Sequence, residues 1–441
     1  MDEPTPAGRA GRGAPERVDC PGVHPLWNHA EKAAPDSLDI GVFGARGIPS
    51  TYSGYETFLT TLLPDLVRRG HSVTMYCRRG SLPVGGSYQG VRCVPLPSIA
   101  SKQLSTLSHG GVAAVRSRIV GHHVVLVVNV ANAMACLFCK ILGQPVVLNT
   151  DGQEWIRGKW GRIGRRAFLL SAQMARYSAS AIVSDCNSMR EIYLTQFRTD
   201  STVIPYCWTE IEPDDGPEAL DEHGLSSEGY ALIAGRLTPE NQIYELSAAF
   251  AELDCGFPIL VLGTANYRSP VERDLANLAA QYPARVIIGG HVADRRRFAT
   301  LVARSRLYLH GHTVGGINPS LIEAMGCGAR VLAVDTAFNR EALAECGTYF
   351  APSRSDFGSQ VARVLEEPIS ISRGVRSEAR QRARSTFAPA KIATAYEEIL
   401  RAAAANPAWR RSRHVTEWEA SSHGSRLPAA GKRHIAGGAS H

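Results

Sequence analysis

The sequence contains no apolar run near the ~18 residues a membrane-spanning helix requires. Its longest buried-looking stretch, Val124–Val128, is strand-sized. The opening residues MDEPTPAGRAGRGAPERVDC hold no apolar core, so they do not read as a secretory signal. No G-x-G-x-x-G is present, which disfavours a dinucleotide site. Neither an Asp-x-Asp motif nor a His cluster announces a metal. Lysine is scarce, at six of the 48 basic residues, and the skew to Arg reads as genome composition. The ten cysteines are scattered, and most sit in apolar segments, as Cys77, Cys186 and Cys207 do. That is the pattern of reduced thiols in a cytosolic protein. Cys136-x-x-Cys139 is a lone pair in an apolar helix and reads as packing.

What is present is length and alternation. A chain of 441 residues with 44% hydrophobic residues suggests two or three domains with large cores. The net charge of +7 permits an anionic ligand, but no concentrated basic stripe argues for nucleic acid. Residues 1–35 and 406–441 lack apolar periodicity and read as a disordered lead-in and tail. Between them, strand candidates at Leu38–Phe43, Ser72–Cys77, Val124–Asn129, Val146–Thr150, Ala181–Asp185 and Val203–Cys207 are mostly followed by helical stretches. Ser188 with Glu191 predicts a capping box on the last of those helices. Acidic, turn-rich residues 209–228 read as a linker. A second series begins at Tyr230–Gly235 and runs through Ile259–Gly263, Arg285–Gly289, Leu307–His310 and Val331–Val334. Near-continuous apolar strands alternating with helices predict an α/β fold of two doubly wound, Rossmann-like domains facing a cleft. Their predicted bounds are 36–208 and 229–387, with a crossover helix at 388–405.

Three anchors carry the chemistry. After the first strand, Gly44, Gly47 and Gly54 punctuate a loop on which Arg46 is placed to meet a phosphate or to be solvated. In ALIAGRLTPEN, Arg236 follows a buried strand directly, where a guanidinium can clamp a diphosphate. Glu240 there reads as a helix-dipole residue. In HGHTVGGINPSLIEAMGCG, a Gly-rich turn opens a helix near Asn318, Pro319 and Ser320, whose N–H groups predict an anion site. Glu323 lies one turn in, where it can accept hydrogen bonds from vicinal hydroxyls or simply be solvated. His310 and His312 lack a third ligand, so ligand contact or packing is favoured over metal.

In this order the anchors resemble a family-4 glycosyltransferase of the GT-B fold. The first half is similar to the bacterial rhamnosyltransferase-like subgroup. GARGIPSTYSGYETFLTTLLPDLVRRGHSVTMYCR, NTDGQEWIRGKWGR, SDCNSMREIY, VIPYC, AGRLTPEN, HGHTVGGINPSLIEAMGCG and DTAFNREAL carry the resemblance. It implies an N-terminal acceptor-side domain and a C-terminal nucleotide-sugar domain. It implies a metal-independent hexosyltransferase with no cofactor beyond the nucleotide-sugar co-substrate. That enzyme moves a hexosyl or deoxyhexosyl unit, such as rhamnosyl, to a cell-surface glycan or lipid-linked acceptor, with retention. Glu323 matches the family's ribose-holding Glu, whereas the partner Glu eight positions before it falls on Gly315. Donor-sugar contact is thereby left to the backbone of Gly316, Ile317 and Asn318. The family's Lys five positions after its Arg falls on Asn241, so half the side-chain charge for the diphosphate is missing. Arg236 is therefore expected as the catalytic cation, and Asp151, after a strand of the first domain, is the candidate for orienting or deprotonating the acceptor hydroxyl, its other reading being a strand-end turn residue in Asp-Gly.

Trp155, Arg157, Lys159, Trp160, Arg165 and Arg166 interleave aromatic and basic character, which predicts contact with an anionic bilayer or a lipid-diphosphate acceptor. The location that follows is cytoplasmic, at the inner face of the plasma membrane. The competing readings are a non-catalytic GT-B-like assembly subunit, favoured by Gly315 and Asn241, and a sugar-nucleotide epimerase, whose acid/base set is not evident.

Overall fold

The computed structural model describes residues 36–49, 54–81, 86–99, 104–157, 160–214, 216–265 and 270–405. The lead-in and tail expected at 1–35 and 406–441 lie outside the described residues. The first half runs β1 (Asp39–Phe43), α1 (Gly54–Arg68), β2 (Ser72–Arg78), β3 (Ser87–Tyr88), β4 (Val91–Leu96), α2 (Leu104–Val120), β5 (Val124–Val128), α3 (Ala133–Ile141), β6 (Val146–Asn149), α4 (Arg162–Ser178), β7 (Ala181–Ser184), α5 (Asn187–Phe197) and β8 (Thr202–Val203). A short α6 (Glu218–Asp221) follows. The second half runs β9 (Ala231–Ala234), α7 (Ile243–Ala251), β10 (Ile259–Leu262), α8 (Pro270–Gln281), β11 (Val286–Gly290), α9 (Arg295–Ala303), β12 (Leu307–His310), α10 (Pro319–Gly326), β13 (Val331–Val334), α11 (Ala337–Leu343), β14 (Thr348–Phe350), α12 (Phe357–Glu366) and α13 (Ile369–Thr386). Finally, α14 (Pro389–Ala405) packs against α1, β5 and β6 of the first half.

Two sheets result, one of eight strands in the order β3-β4-β2-β1-β5-β6-β7-β8 and one of six in the order β11-β10-β9-β12-β13-β14. All pairings are parallel except the short β3–β4 ribbon. The central strands β5, β6, β7, β10, β12 and β13 are buried at every residue, which is why their sequences are unbroken apolar runs. Right-handed crossovers place α2, α3 and α4 together on one face of the first sheet. The other face carries α1 and α14.

Two sequence expectations change here. Of the expected strand Val203–Cys207 only Val203 lies in the observed β8, which starts one residue earlier at Thr202, because Pro205 has no N–H to give the ladder. The Ser188–Glu191 capping box does not form. The N–H groups of Asn187 and Ser188 instead donate to the Glu341 carboxylate on α11, at 2.6 and 3.1 Å. The start of α5 is thus capped from the other domain. A second tie is Asn149, whose amide donates to the Tyr396 hydroxyl on α14 at 2.6 Å.

Candidate functional site

The carboxyl edge of the first sheet presents acids. Asn149, at the end of β6, accepts the Asp151 N–H at 2.9 Å and holds a turn in which Asp151 takes a φ of 57°. The Tyr206 hydroxyl donates to Asp151 Oδ1 at 2.9 Å. Burial, then the Glu154 charge, push the Asp151 carboxyl above its ordinary range, against the pull of Arg157. Asp185 follows β7 and is buried, with the Cys186 thiol donating to it at 3.4 Å. Burial first and the Asp151 charge second push Asp185 up to about 8. On the same edge, Gly44 and Gly47 follow β1. A side chain on either would strike a backbone carbonyl, Val128 or Ser81. Gly54 opens α1, and Arg46 is exposed, its N–H held by Glu56 at 2.9 Å.

The carboxyl edge of the second sheet presents donors. Arg236 leaves β9 half-buried, and no ion pair or hydrogen bond to its guanidinium is found among the described residues. Asn241 does not stand in for a missing cation. Its amide donates to the Arg236 carbonyl at 2.7 Å, and its oxygen lies 2.8 Å from His312 Nδ1. The paired register of β9 and β12 sets the loop after β12 beside Arg236. In that loop Gly315 has a φ of 113°, in the region that favours glycine. The N–H groups of Gly315, Gly316, Ile317 and Asn318 have no acceptor among the described residues, and the first three of these residues are buried. The Ser320 N–H, expected to face an anion, is taken by Asn318 Oδ1 at 3.1 Å, and the N–H groups without an acceptor among the described residues lie in the Gly-rich loop before it. Glu323 is ion-paired with Arg295 of α9, a partner the sequence did not point to. Burial raises the Glu323 carboxyl and Arg295 opposes it. Burial alone lowers His310 to about 3, and burial together with the nearby Arg157, His310 and Arg236 charges pushes His312 well below its usual range. No group of three His, Cys, Asp or Glu positioned for a metal occurs among the described residues.

The two edges touch. A Cβ on Gly152 would lie 3.0 Å from the Gly315 Cα, and one on Gly316 would fall inside the Asp185 carboxylate. Arg157 crosses between the domains, 2.7 Å from Glu154 and 3.6 Å from Glu240. Neither Glu240 oxygen has a hydrogen bond, although the residue is buried. A cavity of about 30 Å³ beside Asp185 and Ile317 is large enough for a water and too small for a sugar.

The aromatic–basic segment divides. Trp155 is buried edge-on against Tyr193 and Phe197, and Arg157 is buried in its ion pairs, so neither faces outward. Trp160 donates to Glu154 at 2.9 Å and packs on Phe168. Arg165 and Arg166 alone are exposed, on α4, and Lys159 lies outside the described residues. Sequence reasoning missed Asp185 as a site residue. Its available signal was its place at a parallel strand's carboxyl end, next to the strand that leads to Asp151.

Known proteins share this arrangement. Residues 38–209 match a family model described as a domain of unknown function, DUF1972. Residues 245–398 match one described as glycosyl transferase-like. The fold is GT-B, and its second half carries a glycosyltransferase-like domain. Sucrose-phosphate synthase from Thermosynechococcus elongatus superposes with a TM-score of 0.70 at 18% identity, covering 83% of this chain and 98% of that one. Anabaena HepE in complex with UDP-glucose gives 0.66 at 14% identity, covering 82% and 99%. A UDP-forming trehalose-phosphate synthase from Burkholderia vietnamiensis gives 0.62 at 10% identity, covering 83% and 100%. No curated protein sequence matches the chain. In GT-B terms, the edge with Asp151 and Asp185 is the wall of the first domain, and the edge with Arg236 is the wall of the second.

Proposed function

We propose that this GT-B protein is a glycosyltransferase. It moves a hexosyl or deoxyhexosyl unit, such as rhamnosyl, from a nucleotide-diphosphate sugar to a cell-surface glycan or lipid-linked acceptor, with retention and without a metal. The observation that carries this reading is the pairing of an unpartnered guanidinium, Arg236, with consecutive unpartnered N–H groups at Gly315–Asn318 on one wall. Buried donors left without acceptors are costly, and a diphosphate with its sugar hydroxyls removes that cost. The acceptor oxygen attacks the anomeric carbon as the bond to the diphosphate breaks. Arg236 and the loop amides stabilise the charge gathering on the departing diphosphate. Asp151, its carboxyl raised by burial, orients the acceptor hydroxyl, whose proton passes to the leaving phosphate on the same face. Glu323 holds the ribose once Arg295 yields to it. The enzyme works in the cytoplasm at the inner face of the membrane.

A second reading, a binding or assembly subunit, is favoured by Asn241, which spends its side chain on His312 and Arg236. Thermal shift against UDP-, GDP-, dTDP- and ADP-sugars, followed by nucleoside-diphosphate release with acceptor extract, separates the two. A transferase is stabilised by one donor class and releases its diphosphate, whereas an assembly subunit does no more than bind. Stabilisation by none of the donors would sink both the donor and the diphosphate assignment.

A further inference from the structure

The helices on one face of the first sheet are turned inside out. Apart from His109 on α2, their buried positions carry small residues: Ala113, Ala114 and Ser117 on α2, Cys136 and Cys139 on α3, Ala172 and Ala175 on α4. Their large apolar side chains point outward in stripes at helical spacing. On α2 the stripe is Val112, Val115 and Ile119, and on α3 it is Met134, Phe138 and Ile141. On α4 it is Ile163, Leu170 and Tyr177. Exposure reaches 69% at Ile119, 71% at Ile141 and 87% at Ile163. The three helices pack side by side, so the stripes form one surface. An ordinary surface helix hides its large residues and exposes polar ones.

Charge on this surface is one-sided. The three helices carry seven basic residues (Arg116, Arg118, Lys140, Arg162, Arg165, Arg166 and Arg176) and no acidic one. Beside α2, an open groove of about 410 Å³ is lined by Leu96, Val112, Val115 and Ile119, with Arg116 as its one charge. A second copy of this face would bring like charges together, which disfavours a symmetric dimer through it. No described helix is long and apolar enough to cross a membrane.

We infer that α2, α3 and α4 form an interfacial docking face for an anionic lipid bilayer. The apolar stripes enter the acyl boundary, the arginines pair with headgroup phosphates, and the groove along α2 takes an acyl chain. The inference rests on the proposed membrane-borne acceptor for its purpose only. Of the contact expected at Trp155, Arg157, Lys159, Trp160, Arg165 and Arg166, it drops Trp155 and Arg157, which are buried, and extends Arg165 and Arg166 to a face three helices wide. Because α4 begins shortly after Asp151, a lipid-linked acceptor held in that bilayer meets the cleft at its first-domain wall.

The test is cosedimentation of the full chain with phosphatidylcholine vesicles, with and without phosphatidylglycerol. Binding is expected only with phosphatidylglycerol and should weaken with salt. The triple variant Ile119→Ser, Ile141→Ser, Ile163→Ser changes exposed side chains, so it should fold. It should lose binding by at least about tenfold. Arg116→Glu with Arg165→Glu and Arg166→Glu should lose more, on the order of a hundredfold, since each charge near an anionic surface contributes. Unchanged melting temperatures and donor-induced shifts in the Ser variant separate loss of docking from loss of fold. Equal binding to neutral vesicles, no binding, or self-association abolished by the Ser variant without vesicle binding would each overturn the inference. Vesicle binding by a chain that no nucleotide sugar stabilises would leave the docking face standing and remove the transferase reading instead.

Discussion

The two walls of the cleft are built alike, from the carboxyl ends of parallel strands, and they carry opposite chemistry. Below β6 and β7 stand half-buried Asp151 and buried Asp185, whose carboxyls burial raises above the ordinary range. Beyond β9 and β12 stand Arg236 and a run of N–H groups that find no acceptor among the described residues. A doubly wound sheet offers the same ledge each time, so the difference lies in a few loop residues. One ledge is suited to stabilising a departing anion and the other to handling a hydroxyl proton. Where the ledges touch, Asp185 rests against Gly316, and Arg157 spans from Glu154 to Glu240.

The comparison breaks most readily at Arg236. Arg236→Ala should remove the donor-induced thermal shift and lower transfer by about two to three orders of magnitude, because it deletes a guanidinium that is unpaired among the described residues and that the proposed reading sets at the diphosphate. Retention of the shift would place the diphosphate elsewhere. Asp151→Asn should act on the other wall alone. Transfer should fall on the order of a hundredfold while donor stabilisation stays intact, and full activity would end its acceptor role.

Asp185→Asn sharpens the contrast through pH. Unfolded, an Asp releases its proton near 3.8, whereas Asp185 in the fold holds it to about 8. Folding therefore takes up a proton in that window, and this group's contribution to stability falls as pH rises from about 4 to about 8. Asparagine, always neutral, should stabilise the fold relative to the parent more at pH 9 than at pH 5, by about 4 kcal/mol at ~1.4 kcal/mol per pH unit between 5 and 8, read as a larger rise in melting temperature at pH 9. A pH-independent difference between variant and parent would show that Asp185 is not held protonated. Last, Glu341→Ala uncaps α5 across the domains and should cost about 1 kcal/mol in chemical denaturation. No measurable cost would mean that water replaces the carboxylate.

The sheets were readable because buried parallel strands are written as unbroken apolar runs. β4 and α2 were not. Pro95 disguises β4, and α2 carries Gly110 and Gly111 mid-helix with its large residues on the wrong side for an amphipathic pattern. The positions of Arg236 and the Gly-rich loop were legible because they follow from a strand end and a local turn. Trp155 and Arg157 were misplaced because their partners are distant in sequence. Tyr193 and Phe197 bury the indole, and Glu240 in the other domain faces the guanidinium. Burial of Asp185 is likewise a tertiary fact, which no local spacing records.

The chain passes between its halves twice, after β8 and again before α14, and the two passages are bonded to each other. The Trp208 N–H donates to the Phe387 carbonyl at 2.9 Å, and the Trp208 indole occupies the space a side chain on Gly326 would need. Two adjacent, mutually fixed crossings remove most rigid-body degrees of freedom and leave chiefly a swing about a single line. The gap opened by that swing grows with distance from the line. A few degrees at Trp208 therefore translate into the largest separation at the far lips of the walls, so the gap between them scales with a lever arm measured from that line.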